Sequence, residues 1–349
     1  MARAQGTSEP LFTGADWNFD LLRRTYDAIE EVAREDLGLD VYPNQIEVIS
    51  SEQMLDAYSS IGMPLMYRHW SFGKHFLQHD HLYRKGARGL AYEIVINSNP
   101  CISYCLEENT MALQALVMAH AAFGHNHFFK CNHLFKQWTD ADGILDYLDY
   151  ARHFIGHCEE QHGVKEVERL LDAAHALMPS GVFRHRRPRA LSLKEEHQRA
   201  RQRRETEERS VNYLWQTVPH HDHPHGEDDP DLVQRKREMH LPEENLLYFL
   251  EHYSPILRPW QREVLRIVRN IGQYFYPQKQ TKLMNEGCAT FVHFQIVNRL
   301  HERGLLTDGA MLEIIHNHTN VVTQPDFDDP RFGGINPYAL GFAMMQDIK

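Results

Sequence analysis

The chain has 349 residues, an apolar fraction of 42% and a formal net charge of -11, which suits one large or two ordinary globular domains. The negative charge gives little support to binding of nucleic acid or of an anionic membrane surface. The N-terminus lacks the apolar segment of a signal peptide, and the most apolar run is too short to span a bilayer. The cysteines include no CxxC pair. We therefore predict a cytoplasmic protein that neither inserts into a membrane nor binds nucleic acid.

The spacing of apolar residues predicts a chain made mostly of helices. Two β-branched runs bounded by Pro, Asn and Ser, at 44–50 and 90–100, are each predicted as a strand. Apolar residues at helical spacing predict helices at 17–37, 107–129, 140–163, 165–178, 243–254, 259–278 and 281–304. A Tyr-Pro turn is expected between the last two. The fold class that follows is mainly α with a small antiparallel β element.

The composition changes after residue 183. A segment rich in Lys and Arg is followed by one rich in His and acids, and neither has enough large apolar side chains to form a core. We predict a charged, His-rich flexible linker at 184–235. The flanking segments, 1–183 and 236–349, are interpreted as the two halves of a single globular domain.

Three histidines interrupt an apolar helical run, "AHAAFGHNHFF", at residues 119–129. His120 and His125 are five residues apart, so on a regular helix they would be rotated by about 140° from each other. Gly124 would permit a bulge or wide turn that brings them together, and such distortions favour functional sites. Two interpretations stay open. These histidines either bind a ligand, or they cap the helix and satisfy polar groups of the core.

A second cluster, "MNEGCATFVHF", places Glu286 and His293 on one helix face, because seven residues fall only about 20° short of two full turns. Gly287 beside the carboxylate costs roughly 1 kcal/mol relative to Ala inside a helix. Close packing or a bound ligand would explain that cost. The alternative for this cluster is a Glu–His hydrogen bond in the core.

Taken together, the clusters predict one divalent metal ion, first of all zinc, held by His120, His125 and Glu286. Two histidines and a glutamate on two helices form a frequent set of ligands for catalytic zinc. His293 is expected within reach of the site. The order strand, His-bearing helix, Glu-bearing helix also resembles that of zinc peptidases, so a zincin-like arrangement is considered. Their H-E-x-x-H base is missing. His293, or a carboxylate from the pairs Glu107–Glu108 and Glu159–Glu160, is expected to orient or deprotonate the water instead.

The segment "YRHWSFGKHF" is a cationic, aromatic turn before the second predicted strand. Arg68, His69 and Lys74 would suit an anionic or carboxylate-bearing substrate, or would pair with nearby acids for structural reasons. We expect Arg68 or Lys74 to face the same cavity as Glu286. A further polar segment at 316–329 is predicted as a loop.

Several long motifs, in order, resemble the stage V sporulation protein R (SpoVR) family from about residue 14 to the end, outside the linker. They include "YPNQIEVISSEQM", "RHWSFGK", "YEIVINSNP", "EENTMALQALVMAHAAFGHNHFFK", "YARHFIGHCEEQHG", "KLMNEG" and "GINPYALGF". Cys288 stands where the family usually has Trp, which affects local packing or makes this cysteine an additional ligand. The family tends to continue past "GFAMMQDI", so a C-terminal portion is expected beyond this chain.

The resemblance implies a sporulation or stress-response module, with an AAA+ serine kinase and a von Willebrand A-domain protein as partners. It does not imply a reaction. Two functions therefore stay open at this point. One is a metal-dependent hydrolase acting on an amide or peptide bond. The other is a noncatalytic scaffold or regulatory partner of the serine-kinase module, with a structural metal or a buried polar cluster.

Overall fold

Helices make up most of the computed structural model, which describes residues 9–60, 62–63, 65–86, 89–184 and 245–349. The predicted linker at 184–235 lies outside the described residues except for Arg184. The α-helices are α1 (Phe19–Glu31), α2 (Ser51–Ser59), α3 (Trp70–Arg84), α4 (Met111–Met118), α5 (Asn126–Cys131), α6 (His133–Trp138), α7 (Ile144–His162), α8 (Val164–Leu177), α9 (Leu246–Tyr253), α10 (Pro259–Glu302), α11 (Asp308–Val322) and α12 (Pro337–Ile348). Shorter helical segments are π-helical at Val32–Asp36 and Ala119–His125, and 3-10 at Met178–Ser180. The prediction of a mainly helical fold is confirmed.

The sheet has three strands in the order β1-β3-β2, where β1 is Asn44–Ile49, β2 is Glu93–Ile96 and β3 is Cys101–Leu106. β1 pairs with β3 in parallel and β2 pairs with β3 antiparallel, so the sheet is mixed and the prediction of an antiparallel element is only half right. The sequence predicts a strand that ends at Pro100, but it does not predict the strand that follows and pairs with it. The run after Pro100 mixes Ser and Tyr with apolar residues, and its central position in the sheet depends on distant pairing.

The two faces of the sheet pack against different helices because side chains alternate along each strand. Val95 and Cys101 lie on the face that packs in the cluster around the His-bearing helix. Ile96 and Ile102 lie on the opposite face, in a cluster with α7 and α8. The sheet therefore separates two sides of the molecule, and this decides which polar residues can meet.

The longest helix, α10, is continuous through Pro277, so the predicted Tyr-Pro turn is wrong. A proline inside a helix lacks one N–H and costs about 3 kcal/mol by intrinsic propensity. The packing of the helix on both sides of Pro277 opposes that cost. The Tyr274 hydroxyl donates to the carbonyl of Asn97 at 2.7 Å, and the Thr281 hydroxyl donates to the carbonyl of Pro277 at 2.7 Å.

α10 also packs against residues that come before the predicted linker as well as residues that come after it. Its C-terminal half supplies Val292 and Ile296 to the cluster that contains Phe123, and its N-terminal half supplies Val264 and Ile267 to the cluster on the other side of the sheet. Both apolar clusters thus draw on residues 9–184 and on residues 245–349. No helix in these two stretches is both long and apolar enough to cross a membrane.

Candidate metal centre

The His-bearing helix changes from α-helical to π-helical geometry at the predicted position. Thr110 caps its start by accepting a hydrogen bond from the N–H of Leu113 at 3.2 Å, and the π-helical segment runs from Ala119 to His125. A Cβ atom on Gly124 would lie 2.5 Å from Cα of Ala289 in α10. The glycine therefore lets the two helices touch at the widened turn. The predicted distortion is confirmed.

The widened turn brings the two imidazoles together. A π-helical turn closes over five residues rather than four, so residues five apart lie nearly above one another. The ring centroids of His120 and His125 are 4.6 Å apart and their planes are nearly perpendicular. His127 instead lies near the backbone of Asp40 and does not join them.

A carboxylate from α10 faces both rings. The Glu286 Oε2 atom lies 3.8 Å from Nε2 of His120 and 3.6 Å from Nε2 of His125. These distances are too long for hydrogen bonds. They are close to the roughly 3.3–3.6 Å that separates tetrahedral ligands held about 2.0–2.2 Å from a zinc ion. Glu286 Oε2 is buried and has no hydrogen-bond partner, which is the condition expected of an atom placed to bind a cation.

A second carboxylate comes from β2 and was not identified from the sequence. Glu93 Oε1 lies 3.8 Å from His120 Nε2, and one ligand atom from each of Glu93, His120 and His125 falls within 4.8 Å of the others. Its side chain points to the sheet face that packs on the His-bearing helix. Glu93 thus forms one group of donors with the two imidazoles, while Glu286 approaches the same imidazoles through its Oε2. Imidazole and carboxylate donors together suit a divalent cation.

The outer nitrogens of the two imidazoles are fixed by hydrogen bonds. His125 Nδ1 donates to Oδ1 of Asn285 at 2.9 Å, so the Nε2 of a neutral ring is free to bind metal. His120 Nδ1 lies 2.9 Å from Nδ1 of His293, whose Nε2 lies 2.9 Å from Nδ1 of His318. If each ring donates to the next in that order, His120 Nε2 also keeps its lone pair directed at the cluster.

His318 belongs to a helix rather than to the loop predicted at 316–329. It is buried near the end of α11, with Phe294 and Phe342 packed against its ring. The polar residues around it, "HNHTN", favoured a loop in sequence analysis, but tertiary packing holds them in helical form. His293 is therefore a bridge between two rings, and not an isolated neighbour of the cluster.

The electrostatics of the cluster favour a neutral imidazole beside an ionised carboxylate. Burial alone would raise the pKa of Glu286, but His120 and His125 outweigh it and lower that pKa to about 2. Burial lowers the pKa of His125 to about 4 and that of His293 well below its ordinary value. Burial raises the pKa of Glu93. Burial opposes protonation of His120, but Glu286 and Glu93 outweigh it and raise the pKa of that imidazole. At neutral pH, His125 and His293 are therefore uncharged and Glu286 is anionic, whereas His120 would have to release its proton when a metal binds.

The cluster opens into a cavity of about 390 Å³. Its lining includes Glu93, His125 and Glu286, together with Lys282 and Tyr338. Tyr338 reaches the cavity because α12 crosses α10 where Gly287 meets Gly341 backbone to backbone, with no room for a Cβ atom on either glycine. Close packing therefore accounts for the glycine beside Glu286.

The cationic segment predicted as a turn is helical from Trp70 onward, as the start of α3, and it lies at a different cavity. Arg68 and His69 line a space of about 560 Å³ together with Glu47 and Tyr104, whose side chains lie on the opposite face of the sheet from Glu93. The expectation that Arg68 or Lys74 faces the same cavity as Glu286 is therefore wrong, since neither lines the cavity beside Glu286. The sequence could not show which face of the sheet the turn would cover.

His69 and Lys74 also make local contacts. His69 caps the start of α3, with its Nδ1 2.6 Å from the Ser71 hydroxyl. Lys74 lies over the ring of Trp70, with its Nζ 5.9 Å from the ring centroid. These contacts agree with the structural alternative for this segment.

Neither carboxylate suggested as a base reaches the cluster of His120, His125 and Glu286. Glu108 is exposed in the turn before α4, and His120 lies about 13 Å of helix beyond Met111, where that helix begins. Glu159 lies on α7, where burial and the charge of Glu168 raise its pKa while the charge of Arg68 lowers it. Both predictions rested on sequence proximity to helix ends, which says nothing about the distant pairing that brings Glu93 to the site.

Cys288 is buried in the apolar cluster around the His-bearing helix. It follows Glu286 by two residues, so it lies on another face of α10, and burial raises the pKa of its thiol to about 11. The interpretation as a packing residue fits better than that as an additional ligand.

Comparisons with known proteins agree with the motifs. The family model described as "SpoVR like protein" matches residues 16–349. The chain is 57% identical over 339 residues to the "Uncharacterized protein YcgB" of Escherichia coli (strain K12), an alignment that covers 97% of this chain and 65% of that relative. This chain thus spans less than two thirds of the relative's length. No solved structure matches this chain. By the extent of these matches, the chain belongs to the SpoVR-like family.

Proposed function

We propose that His120, His125 and Glu286 hold one divalent metal ion, first of all zinc, and that the protein is a metal-dependent hydrolase of an amide or peptide bond. The observation that carries the proposal is the buried Oε2 of Glu286, which has no hydrogen-bond partner and lies near Nε2 of both histidines. Imidazole and carboxylate donors suit zinc, and they also suit iron or manganese.

Each residue of the cluster has a distinct task in this proposal. Glu286 is assigned as the third ligand because its Oε2 lies within 4 Å of both imidazole nitrogens, at 3.8 and 3.6 Å. Glu93 approaches from the strand beside His120 and accepts the proton of the attacking water. A bound divalent metal would supply a Lewis acid that activates water and polarises the substrate carbonyl. His293 holds the ring of His120 in the orientation needed for binding.

The proposed arrangement is zincin-like only in outline. Two ligands come from one helix, the third from another, and a strand runs beside them. It differs from H-E-x-x-H enzymes in two respects. The histidines are separated by four residues across a π-helical turn, and the base comes from β2. The cavity of about 390 Å³ has room for a short peptide segment but not for a folded protein.

The metal proposal is tested by Glu286→Gln, which keeps the shape of the side chain and removes its charge. We expect the metal content of untagged protein, purified without chelators and measured by inductively coupled plasma mass spectrometry, to fall at least tenfold. Glu108→Gln is the matched control because that carboxylate is exposed and distant. Equal metal content in both variants would contradict the ligand assignment, and metal-free wild-type protein after zinc loading would contradict the site itself.

The hydrolase proposal needs a separate measurement. Zinc-loaded wild-type protein should release fluorescent fragments from labelled casein, an unfolded general substrate, and Glu93→Gln should abolish that release while retaining the metal. Cleavage that persists in Glu93→Gln would remove Glu93 from the mechanism. Full metal occupancy without cleavage of casein or of a random peptide mixture would argue against a peptidase.

The second function is a noncatalytic partner of a serine-kinase module. One observation favours it, since His125 with Asn285 and His120 with His293 and His318 form hydrogen bonds that need no metal. From the family membership we propose an AAA+ serine kinase and a von Willebrand A-domain protein as partners in a sporulation or stress response. Co-purification of those proteins with a metal-free Glu286→Gln variant, as with wild type, would favour this function over hydrolysis.

A further inference from the structure

The strand that carries Glu93 lies at an edge of the sheet. β2 pairs only with β3 among the described residues, and its residues are partly exposed up to Val95. An edge strand has one row of backbone N–H and C=O groups that its own sheet does not use. The free edge lies at the metal cluster only if these unused backbone groups belong to residues beside that cluster.

Two hydrogen bonds fix the direction of these groups. The N–H of Leu106 donates to the carbonyl of Tyr92 at 3.0 Å, so in the antiparallel register Tyr92 and Ile94 direct their backbone groups at β3. The N–H of Cys101 donates to the carbonyl of Pro43 at 2.8 Å, which confirms that odd-numbered residues of β3 face β1. The N–H and C=O of Glu93 and Val95 therefore point away from the sheet.

These outward groups have no hydrogen-bond partner in the described part of the chain. The same two residues line the cavity of about 390 Å³, and Glu93 directs its carboxylate at His120. The free edge is thus continuous with the metal cluster, because one residue belongs to both. Donor and acceptor groups on alternate residues match the backbone of an extended peptide.

The geometry points to an extended peptide as the substrate, bound as an added strand along the free edge of β2 through the backbone of Glu93 and Val95. This inference rests on the proposed function and names its substrate class. A strand added there runs about 4.8 Å from β2. Its backbone then passes beside the side chains of Glu93 and Glu286, and recognition depends on peptide backbone more than on a particular side chain.

The test uses hydroxamates, which bind zinc through a group independent of the edge. Acetohydroxamate reports on the metal alone. Two trialanine probes carry the same hydroxamate at the C-terminus or at the N-terminus, so that one of them can lie along β2 in either direction. With the zinc-loaded full chain we expect at least one trialanine probe to bind roughly tenfold or more tightly than acetohydroxamate, since the peptide adds two or more hydrogen bonds to the metal contact that all the probes share.

Val95→Pro removes one outward donor and leaves the pairing with β3 intact, because proline is tolerated where an edge N–H faces outward. It should lower the affinity of the preferred trialanine probe by roughly three- to tenfold and leave acetohydroxamate binding unchanged. Val95→Ala is the matched control. It loses side-chain contacts but keeps the N–H, so the advantage of the peptide should remain.

A probe with N-methylated peptide nitrogens gives the same test without altering the protein, in case Val95→Pro does not fold. It should lose the advantage over acetohydroxamate. If the trialanine probes bind no better than acetohydroxamate, or if N-methylation has no effect, the inference is overturned while the metal site stands. If acetohydroxamate itself does not bind, the proposed function and this inference fail together.

Discussion

Replacing Gly124 by Ala tests whether helix contact sets the geometry of the metal cluster. The new Cβ would lie 2.5 Å from Cα and 3.1 Å from the carbonyl oxygen of Ala289. Carbon atoms in normal contact are about 3.5–4.0 Å apart, so the His-bearing helix and α10 must separate by about 1 Å. Because backbone atoms make the contact, a change of side-chain rotamer cannot relieve it.

The separation acts directly on the donors. His125 follows Gly124, and Ala289 lies one helical turn after Glu286 on the same face of α10. A shift of about 1 Å would lengthen the 3.6 and 3.8 Å distances between the imidazoles and Glu286 to nearly 5 Å. This exceeds the roughly 3.3–3.6 Å between tetrahedral zinc ligands. We therefore expect Gly124→Ala to lose most bound metal.

The effect on unfolding should be smaller than the effect on metal binding. Overpacking costs about 1–3 kcal/mol, and Ala gains about 0.8–1.0 kcal/mol over Gly inside a helix. The metal-free variant should therefore be less stable than wild type by about 0–2 kcal/mol, measured by urea unfolding in the presence of a chelator.

Gly156→Ala is the matched control for this variant. Gly156 also lies inside a helix, α7, but a Cβ atom there would meet nothing within 4 Å. It should raise the free energy of unfolding by about 0.5–1 kcal/mol and leave metal content unchanged. If Gly124→Ala keeps its metal and matches Gly156→Ala in urea, the contact with Ala289 does not control the site and the reasoning is refuted.

Two other predictions concern the fold. Burial lowers the pKa of His175 to about 4, so the folded state keeps this ring neutral and should lose stability as the pH falls from about 6.5 towards 4. Melting temperatures at pH 7.5 and 5.0 should show a smaller loss for His175→Gln than for wild type, and equal losses would exclude this histidine as a cause. Limited proteolysis should cut first within 184–235, because its composition is polar and charged, and should leave the fragments associated until denaturant is added. Fragments that separate in plain buffer would contradict the single-domain prediction.

The central part of the site could be predicted because it depends on local spacing. On a regular helix the side chains of His120 and His125 would point in different directions. Gly124 indicates the wider turn that brings them together. Glu286 and His293 share a helix face whatever surrounds them. These predictions needed only helical geometry, and the π-helical turn and the common face are both present in the structure.

The rest of the site depends on contacts between distant parts of the chain. Glu93 could be assigned to a strand, but which face of the sheet would cover the His-bearing helix is decided by packing. For the same reason Arg68 was expected at the wrong cavity. Pro277 predicts a turn by intrinsic propensity, because the sequence does not show the burial of its neighbours. The polar neighbours of His318 likewise predict a loop.

The donors of the cluster come from both sides of the undescribed segment. His120 and His125 precede it and Glu286 follows it, so neither flanking piece holds the whole set. During synthesis the site cannot form until residue 286 has left the ribosome, and an early fragment would carry two histidines without their carboxylate. A metal ion that binds the complete set would act as a cross-link between the pieces. Its binding free energy would then stabilise the association of the two segments, and the site would be fully occupied only where both segments are present.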